Sequence, residues 1–181
     1  MINILTIGHT GFLGSYLYNR FGTHAWPGRF EYNENWWSWA GRHSYDYIFY
    51  CARACRKNHP RRDKNTLLLE IEGIQKTLKA FPDSHIIYCS SKVVSGWASA
   101  WKRDISLEEI GDYFESVING KFLNETTHLP EASDNHLNLS MKPSVLSEEH
   151  LLYAQAKSIS ETLVKSCAKD YTIFRIWDII P

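Results

Sequence analysis

The sequence predicts a doubly wound α/β fold, in which a parallel sheet is covered by helices on both faces. Short apolar segments rich in β-branched residues alternate along the chain with longer segments whose apolar residues recur at helical spacing. A glycine-rich turn separates the first predicted strand from the first predicted helix. The 181 residues are 44% hydrophobic and 22% charged, which indicates a single folded domain rather than a disordered chain.

The individual elements follow from this alternation. A strand over 1–7 leads into the glycine turn, and a helix over 12–21 follows it. Residues 31–45 are predicted to be turn-like, and residues 120–144 to form a polar loop. The remaining strands are predicted over 23–27, 45–52, 85–90 and 171–180, and the remaining helices over 66–80, 105–119 and 147–169.

The charge balance and the lack of a long apolar run exclude several function classes. Twenty basic side chains balance twenty acidic ones, so no overall field attracts nucleic acid or an anionic membrane. No apolar run reaches the ~18 residues of a membrane helix, and the first residues lack the features of a signal peptide. We therefore expect a cytoplasmic protein without nucleic-acid or membrane partners. Four cysteines are too few and too scattered to predict a disulfide framework.

The turn after the first strand has the pattern Gly-x-x-Gly-x-x-Gly, formed by Gly8, Gly11 and Gly14. In a dinucleotide-binding turn the first glycine permits a tight bend and the second lets the backbone approach the pyrophosphate. The third lets the helix pack closely on the strand, and the amino terminus of the helix faces the phosphates. A plain glycine-rich turn is the alternative, but the position between a strand and a helix favours dinucleotide binding.

With this spacing the chain resembles the short-chain dehydrogenase/reductase superfamily, and more narrowly its extended group of nucleotide-sugar epimerases, dehydratases and reductases. Residues 46–52 resemble the strand that ends in a small-residue turn beside the cofactor, and residues 86–96 the strand that supplies a catalytic serine. Residues 153–161 resemble the Tyr-x-x-x-Lys helix and its following glutamate. The resemblance implies one Rossmann-type, three-layer αβα domain over 1–181, with an inserted segment at about 97–142. Family members continue into a smaller sugar-nucleotide lobe, and we expect this chain to lack that C-terminal substrate lobe.

The resemblance implies catalytic roles for Ser91, Tyr153 and Lys157. Tyr-x-x-x-Lys also occurs at Tyr88 and Lys92, but only the later match lies on a predicted helix, where residues four apart are neighbours. A tyrosine has a reference pKa of about 10, and a nearby ammonium and an oxidised nicotinamide favour its phenolate form. Tyr153 would then exchange a proton with a substrate hydroxyl while hydride moves to or from the nicotinamide. Lys157 would also bind the nicotinamide ribose, and Ser91 the reacting oxygen.

The implied cofactor is NADP or NAD, with NADP favoured. Family members that use NAD place an acidic residue after the second strand. Arg29 occupies that region here and suits a 2′-phosphate, whereas Glu31 keeps NAD open. The cofactor contacts that the resemblance implies, besides Arg29, are Gly8, Thr10, Gly11, Phe12, Leu13, Gly14, Cys51, Ala52 and Lys157.

Two other side-chain patterns have more than one interpretation. The basic segment over 53–64 borders the expected crevice, where it would attract a nucleotide diphosphate or form a solvated loop. Cys51, Cys55 and His59 recur at four-residue spacing, but no fourth ligand is evident and we predict no metal site. Family members often dimerise through two helices that pack as a bundle, and the helix over 147–169 is the candidate for a homodimer.

Two functional hypotheses follow. The first is an NAD(P)-dependent nucleotide-sugar epimerase, dehydratase or reductase that transfers hydride at a hydroxyl-bearing sugar carbon. The second is a non-catalytic NAD(P)-binding module that acts as a sensor or as a subunit of a complex. The expected lack of the substrate lobe favours the second hypothesis. The other departures from the family pattern are the extra segment at 97–142, a short connection between the second and third strands that predicts the loss of one sheet strand, and the replacement of a usual asparagine near Glu70.

Overall fold

A computed structural model of the chain describes residues 2–25, 34–52, 64–91, 94, 105–129, 148–176 and 179–180. The strands are β1 (Ile4–Ile7), β2 (His24–Ala25), β3 (Tyr47–Tyr50), β4 (His85–Ser91), β5 (Ile105–Ser106), β6 (Glu125–Leu129), β7 (Asp170–Ile176) and β8 (Ile179–Ile180). The helices are α1 (Phe12–Phe21), α2 (Glu34–Ala40), α3 (Lys64–Ala80), α4 (Leu107–Ile118) and α5 (Glu148–Cys167).

Six strands form one parallel sheet, in the order β2–β1–β3–β4–β7–β6. From β1 the chain winds to β2 on one side and through β3 and β4 on the other, which is the doubly wound, Rossmann-type arrangement that the sequence predicts. It then forms the edge strand β6 and returns inward, so that β7 lies between β4 and β6. Between β2 and β3 the described residues contain one helix, α2, and β2 is the last described strand on that side of the sheet. Residues 26–33 of this connection lie outside the described part of the chain, so the loss of one sheet strand there stays a prediction. The short strands β5 and β8 pair with each other in a separate parallel sheet.

Successive side chains of a strand point to opposite faces of the sheet. The buried strands are apolar at successive positions, so both faces are apolar and both are covered by helices. In β3, Ile48 and Tyr50 pack in the cluster shared with α2, α3 and α5. Phe49 points to the other face, where it packs with residues of α1 and α4. The three-layer αβα architecture is thus confirmed. Within the described residues no helix is both long enough and apolar enough to cross a bilayer.

Two of the predicted irregular segments contain regular structure. Residues 31–45 were expected to be turn-like, but 34–40 form α2, whose Ala40 is buried against the sheet. Residues 120–144 were expected to be a polar loop, but Glu125–Leu129 form β6. Its polar side chains are explained by its position, because an edge strand has only one neighbour and stays partly exposed. The predicted last strand divides into β7 and β8.

The ends of α1 and α4 follow from local signals in the sequence. Helix α1 ends at Gly22, which has a left-handed φ of 58° and donates its N–H to the carbonyl of Tyr18. Helix α4 begins with a capping box. Ser106 accepts a hydrogen bond from the Glu109 N–H, and the Glu109 carboxylate accepts one from the Ser106 N–H.

Candidate functional site

The glycine turn joins β1 to α1 at the carboxyl end of the sheet. Gly8 has a φ of 92°, and a Cβ there would lie 2.7 Å from the backbone nitrogen of Ala52. A Cβ at Gly14 would overlap the carbonyl oxygen of Gly8. Both positions therefore require glycine, the first for its left-handed backbone and for close packing against the end of β3, the second for the close approach of α1.

The amino terminus of α1 is open to an anion. Its cap residue, Gly11, has an extended backbone and no side chain that could accept a hydrogen bond from the helix. The first turn contains no acidic residue. The first N–H groups of a helix have no acceptor within the helix, and the helix dipole makes this end positive. Phe12 is 53% exposed, and Thr10 is exposed beside it. This surface fits a pyrophosphate group, which is the role predicted for the turn.

The end of β3 completes this edge of the site. Cys51 donates its N–H to the carbonyl of Ile7, which extends the pairing of β1 with β3 by one residue. Cys51 and Ala52 are half-buried and lie directly against Gly8. The structure thus brings together the glycine turn and the two residues after β3 that are predicted to contact the cofactor.

Helix α5 places Tyr153 and Lys157 on one face, as their spacing predicts. The Lys157 ammonium lies 5.8 Å from the centroid of the Tyr153 ring. Tyr153 is 6% exposed and Lys157 is 3% exposed, so both pack between α5, α3 and the sheet. The ammonium also donates a hydrogen bond of 3.3 Å to the carbonyl of Cys89, at the carboxyl end of β4.

A buried carboxylate balances the charge of Lys157. Glu70 on α3 lies 2.5 Å from the ammonium, and both side chains are nearly inaccessible. Burial acts to lower the pKa of Lys157, but the Glu70 carboxylate, with Tyr88 and Tyr153, outweighs burial and raises it well above its usual value. Lys157 is therefore a fixed cation. Because its charge is shared with Glu70, it stabilises a neighbouring phenolate less than an unpaired ammonium would.

A second tyrosine lies nearer to Lys157 than Tyr153 does. The ammonium is 4.9 Å from the ring centroid of Tyr88, which is fully buried in the middle of β4. Burial raises the pKa of Tyr88 to about 12, against the opposing charge of Lys157. Tyr88 therefore stays protonated at neutral pH and acts as a packing residue. In the sequence, Tyr88 is notable only for its spacing to Lys92, and no local pattern places it under α5.

The two serines at the end of β4 face opposite sides of the sheet. Ser90 donates a hydrogen bond of 2.6 Å to the carboxylate of Glu161 on α5. Arg175 on β7 binds the same carboxylate with two nitrogens, at 3.0 Å and 2.7 Å. This network holds α5 in a fixed position over β4 and β7. Ser91 is the last residue of β4, and alternation along the strand directs it away from α5. Its predicted contact with a reacting oxygen stays a prediction.

A groove of about 520 Å³ lies at the opposite, amino-terminal edge of the sheet. Three carboxylates line it, from Asp46, Asp83 and Asp170. They outnumber the one lysine of the lining, Lys121, so the groove would repel the phosphates of a nucleotide, whereas the uncapped end of α1 attracts them. The glycine turn is therefore the better candidate for a nucleotide site.

Several predicted features lie outside the described residues. Among them are Arg29 and Glu31, on which the choice between NADP and NAD depends, and most of the basic segment over 53–64. Cys55 and His59 of the rejected metal pattern lie there too. Among the residues that the structure describes, no group of three histidine, cysteine or acidic side chains is arranged to bind a metal.

No protein-family model and no curated protein matches the sequence. Two solved structures align with most of this chain. A reductase domain of the aureusimine biosynthetic cluster is 15% identical with a TM-score of 0.47, over 91% of this chain and 45% of that one. UDP-glucose 4-epimerase of Thermotoga maritima, solved with UDP-glucose, is 16% identical with a TM-score of 0.46, over 96% of this chain and 55% of that one. The chain thus spans about half the length of each.

Proposed function

We propose that the chain binds NADP or NAD at the carboxyl edge of its sheet, with the pyrophosphate on the glycine turn. The fit of the turn supports this proposal: Gly8 and Gly14 leave no room for a Cβ, and the uncapped end of α1 faces outward. Gly11 lets the backbone approach the pyrophosphate, and Cys51 and Ala52 border it from β3. NADP remains favoured over NAD because of Arg29.

The proposed activity is hydride transfer at a hydroxyl-bearing carbon of a nucleotide sugar, as in an epimerase, dehydratase or reductase. The nicotinamide, when bound, supplies the hydride acceptor or donor. Tyr153 is the proposed acid and base, since it packs in the first half of α5 beside a permanent cation. Lys157 is fixed by Glu70 and the Cys89 carbonyl, so in this structure it supports Tyr153 rather than reaching outward.

The pairing of Lys157 with Glu70 favours a second candidate function, a non-catalytic NAD(P)-binding module. A neutralised ammonium supplies less of the stabilisation that a phenolate base needs at neutral pH. Such a module would bind the dinucleotide and sense its level or redox state without chemistry on a sugar.

A turnover assay with a Tyr153→Phe variant separates the two functions. The protein is mixed with NADPH, or with NADP, and a panel of nucleotide sugars, and the reduced nicotinamide is followed by its absorbance. An enzyme should show turnover that falls about 100-fold or more in Tyr153→Phe, the usual contribution of a general acid or base. Turnover that the variant keeps in full would contradict the role of Tyr153. Dinucleotide binding without turnover on any sugar of the panel would favour the module.

A further inference from the structure

Two cysteines lie side by side near the carboxyl ends of β3 and β4, beside the glycine turn. Cys51 follows the last residue of β3, and Cys89 lies two residues before the end of β4. Tyr50 and Tyr88 are direct partners across the two parallel strands, and Cys51 and Cys89 each follow by one residue. Their sulfur atoms lie 3.4 Å apart, and both side chains are half-buried. Both pack on the sheet face that α1 and α4 cover. Neither the glycine turn nor the Tyr153 site requires two thiols at this place.

The geometry points to a redox-reactive dithiol: we propose that a peroxide oxidises Cys51 and Cys89 to a disulfide that bridges β3 and β4. Neighbouring strands lie about 4.8 Å apart, within the Cα separations that a disulfide spans. The sulfur atoms must approach by about 1.4 Å from their present 3.4 Å to reach the ~2.0 Å of an S–S bond. Rotation of two small side chains supplies most of that movement.

The oxidation proceeds in two balanced steps. Hydrogen bonding with Cys89, and then burial, raise the pKa of Cys51, so Cys51 keeps its proton and Cys89 supplies the attacking sulfur. The sulfur of Cys89 attacks one oxygen of the peroxide and the O–O bond breaks; the proton of the Cys89 thiol passes to the leaving hydroxide, so a sulfenic acid and one water form. The sulfur of Cys51 then attacks the sulfenic sulfur, the S–O bond breaks, and a second water leaves with the Cys51 proton. The thiols lose two electrons, and hydrogen peroxide gains them.

The bridge would form against the proposed dinucleotide site, so we expect it to weaken dinucleotide binding. This consequence rests on the proposed function. A Cβ at Gly8 would lie 2.8 Å from the carbonyl carbon of Cys51, so the end of β3 has no free space on that side. The carbonyl of Cys89 also accepts the hydrogen bond from Lys157. The part of the movement that side-chain rotation does not supply falls on the backbone of Cys51 and Cys89, and there it acts on both the glycine turn and the Lys157 contact. We expect oxidation to weaken NADPH binding about fivefold or more.

Mass spectrometry of the oxidised protein tests the bridge. The reduced full-length chain is treated with hydrogen peroxide, alkylated without reduction and digested. We expect a linked Cys51–Cys89 peptide pair, lighter than the two thiol peptides by two hydrogen atoms. It should persist in Cys55→Ser and in Cys167→Ser, and disappear in Cys89→Ser. A bridge from Cys51 to Cys55, a bridge between chains, or sulfinic acids without a bridge would each overturn the proposal.

NADPH titrations of the same samples test the consequence. Reduced protein should bind more tightly than oxidised protein, and Cys89→Ser should bind equally before and after peroxide. Equal binding by the reduced and the bridged protein would overturn the coupling. If reduced protein binds neither NADPH nor NADH, the proposed function fails, and the mass spectra still decide whether the disulfide forms.

Discussion

The charge of Lys157 shows how far a local motif determines the chemistry of one residue. The four-residue spacing places Lys157 beside Tyr153 on α5, and the structure agrees. Its counter-ion comes from Glu70 on another helix, and no sequence period links the two positions. In the sequence, Glu70 is notable only because it stands near the place where the resembled family usually has an asparagine. In the fold it is a buried anion beside Lys157, and it alters the electrostatics around that ammonium.

The ion pair of Lys157 and Glu70 predicts a large loss of stability in Glu70→Gln. The variant leaves a buried ammonium without a counter-ion, which usually costs about 3–5 kcal/mol. Glu72→Gln is the matched control on the same helix, since Glu72 pairs with Lys76 on the surface at 3.6 Å. An exposed pair of that kind contributes only about 0–1 kcal/mol. Urea unfolding of both variants measures the difference, and equal losses would show that the buried pair contributes no more than the exposed one.

The packing at Gly14 predicts that Gly14→Ala destabilises the fold. The added methyl group would overlap the carbonyl oxygen of Gly8 and push α1 away from β1. Overpacking of this kind costs about 1–3 kcal/mol. A Cβ at Gly22 meets no atom within 4 Å, so Gly22→Ala loses only about 1 kcal/mol for its left-handed backbone. Thermal unfolding should show the larger decrease for Gly14→Ala, and the reverse order would contradict the close packing of the turn.

Among the helices and strands, those that the sequence predicts correctly are the well-buried ones. The central strands β1, β3 and β4 are apolar runs, and α3 and α5 have helical periodicity, so all five follow from the sequence. The strand β6 does not, because an edge strand with polar side chains has the composition of a loop. The helix α2 does not either, since its seven residues Glu-Asn-Trp-Trp-Ser-Trp-Ala show no clear periodicity. The apolar pattern of a sequence reflects which residues are buried. Because β6 and α2 are only partly buried, they leave no such pattern.

Two histidines on strands predict that the fold loses stability in mild acid. Burial lowers the pKa of His85 on β4, with partial opposition from Asp170. Burial and then the charge of Arg175 lower the pKa of His128 on β6. As the pH falls below about 6.5, the unfolded chain binds more protons than the folded one, so the free energy of unfolding decreases.

A His85→Gln variant tests this pH dependence. Urea unfolding between about pH 7 and about pH 5 should show a smaller loss of stability in the variant than in the unchanged protein. His24→Gln is the control, because His24 is exposed on β2. A variant that lost as much stability as the unchanged protein over that range would exclude His85 as a source of the acid sensitivity.

At the scale of the whole molecule, the topology brings distant segments to one edge. The glycine turn follows β1, Cys51 and Ala52 follow β3, and Cys89 lies near the end of β4. Parallel strands all end at this edge, so the sequence order of motifs predicts their meeting in space. The order cannot predict which side chains then pair, because contacts such as Cys51 with Cys89 depend on strand register. The fold was therefore predictable in outline, and the site only in part.

Calorimetric titration of the reduced protein with NADPH and with NADH shows whether the glycine turn binds a dinucleotide. We expect binding of at least one dinucleotide, and a clear loss of affinity in Gly11→Ala with little loss of stability. Gly11 has an ordinary backbone, and a Cβ there would lie 3.3 Å from the Gly8 oxygen while pointing a methyl group at the phosphate surface. Gly120→Asn, at the opposite edge, should bind normally. Binding of neither dinucleotide, or equal affinity in Gly11→Ala, would show that the glycine turn does not hold a pyrophosphate.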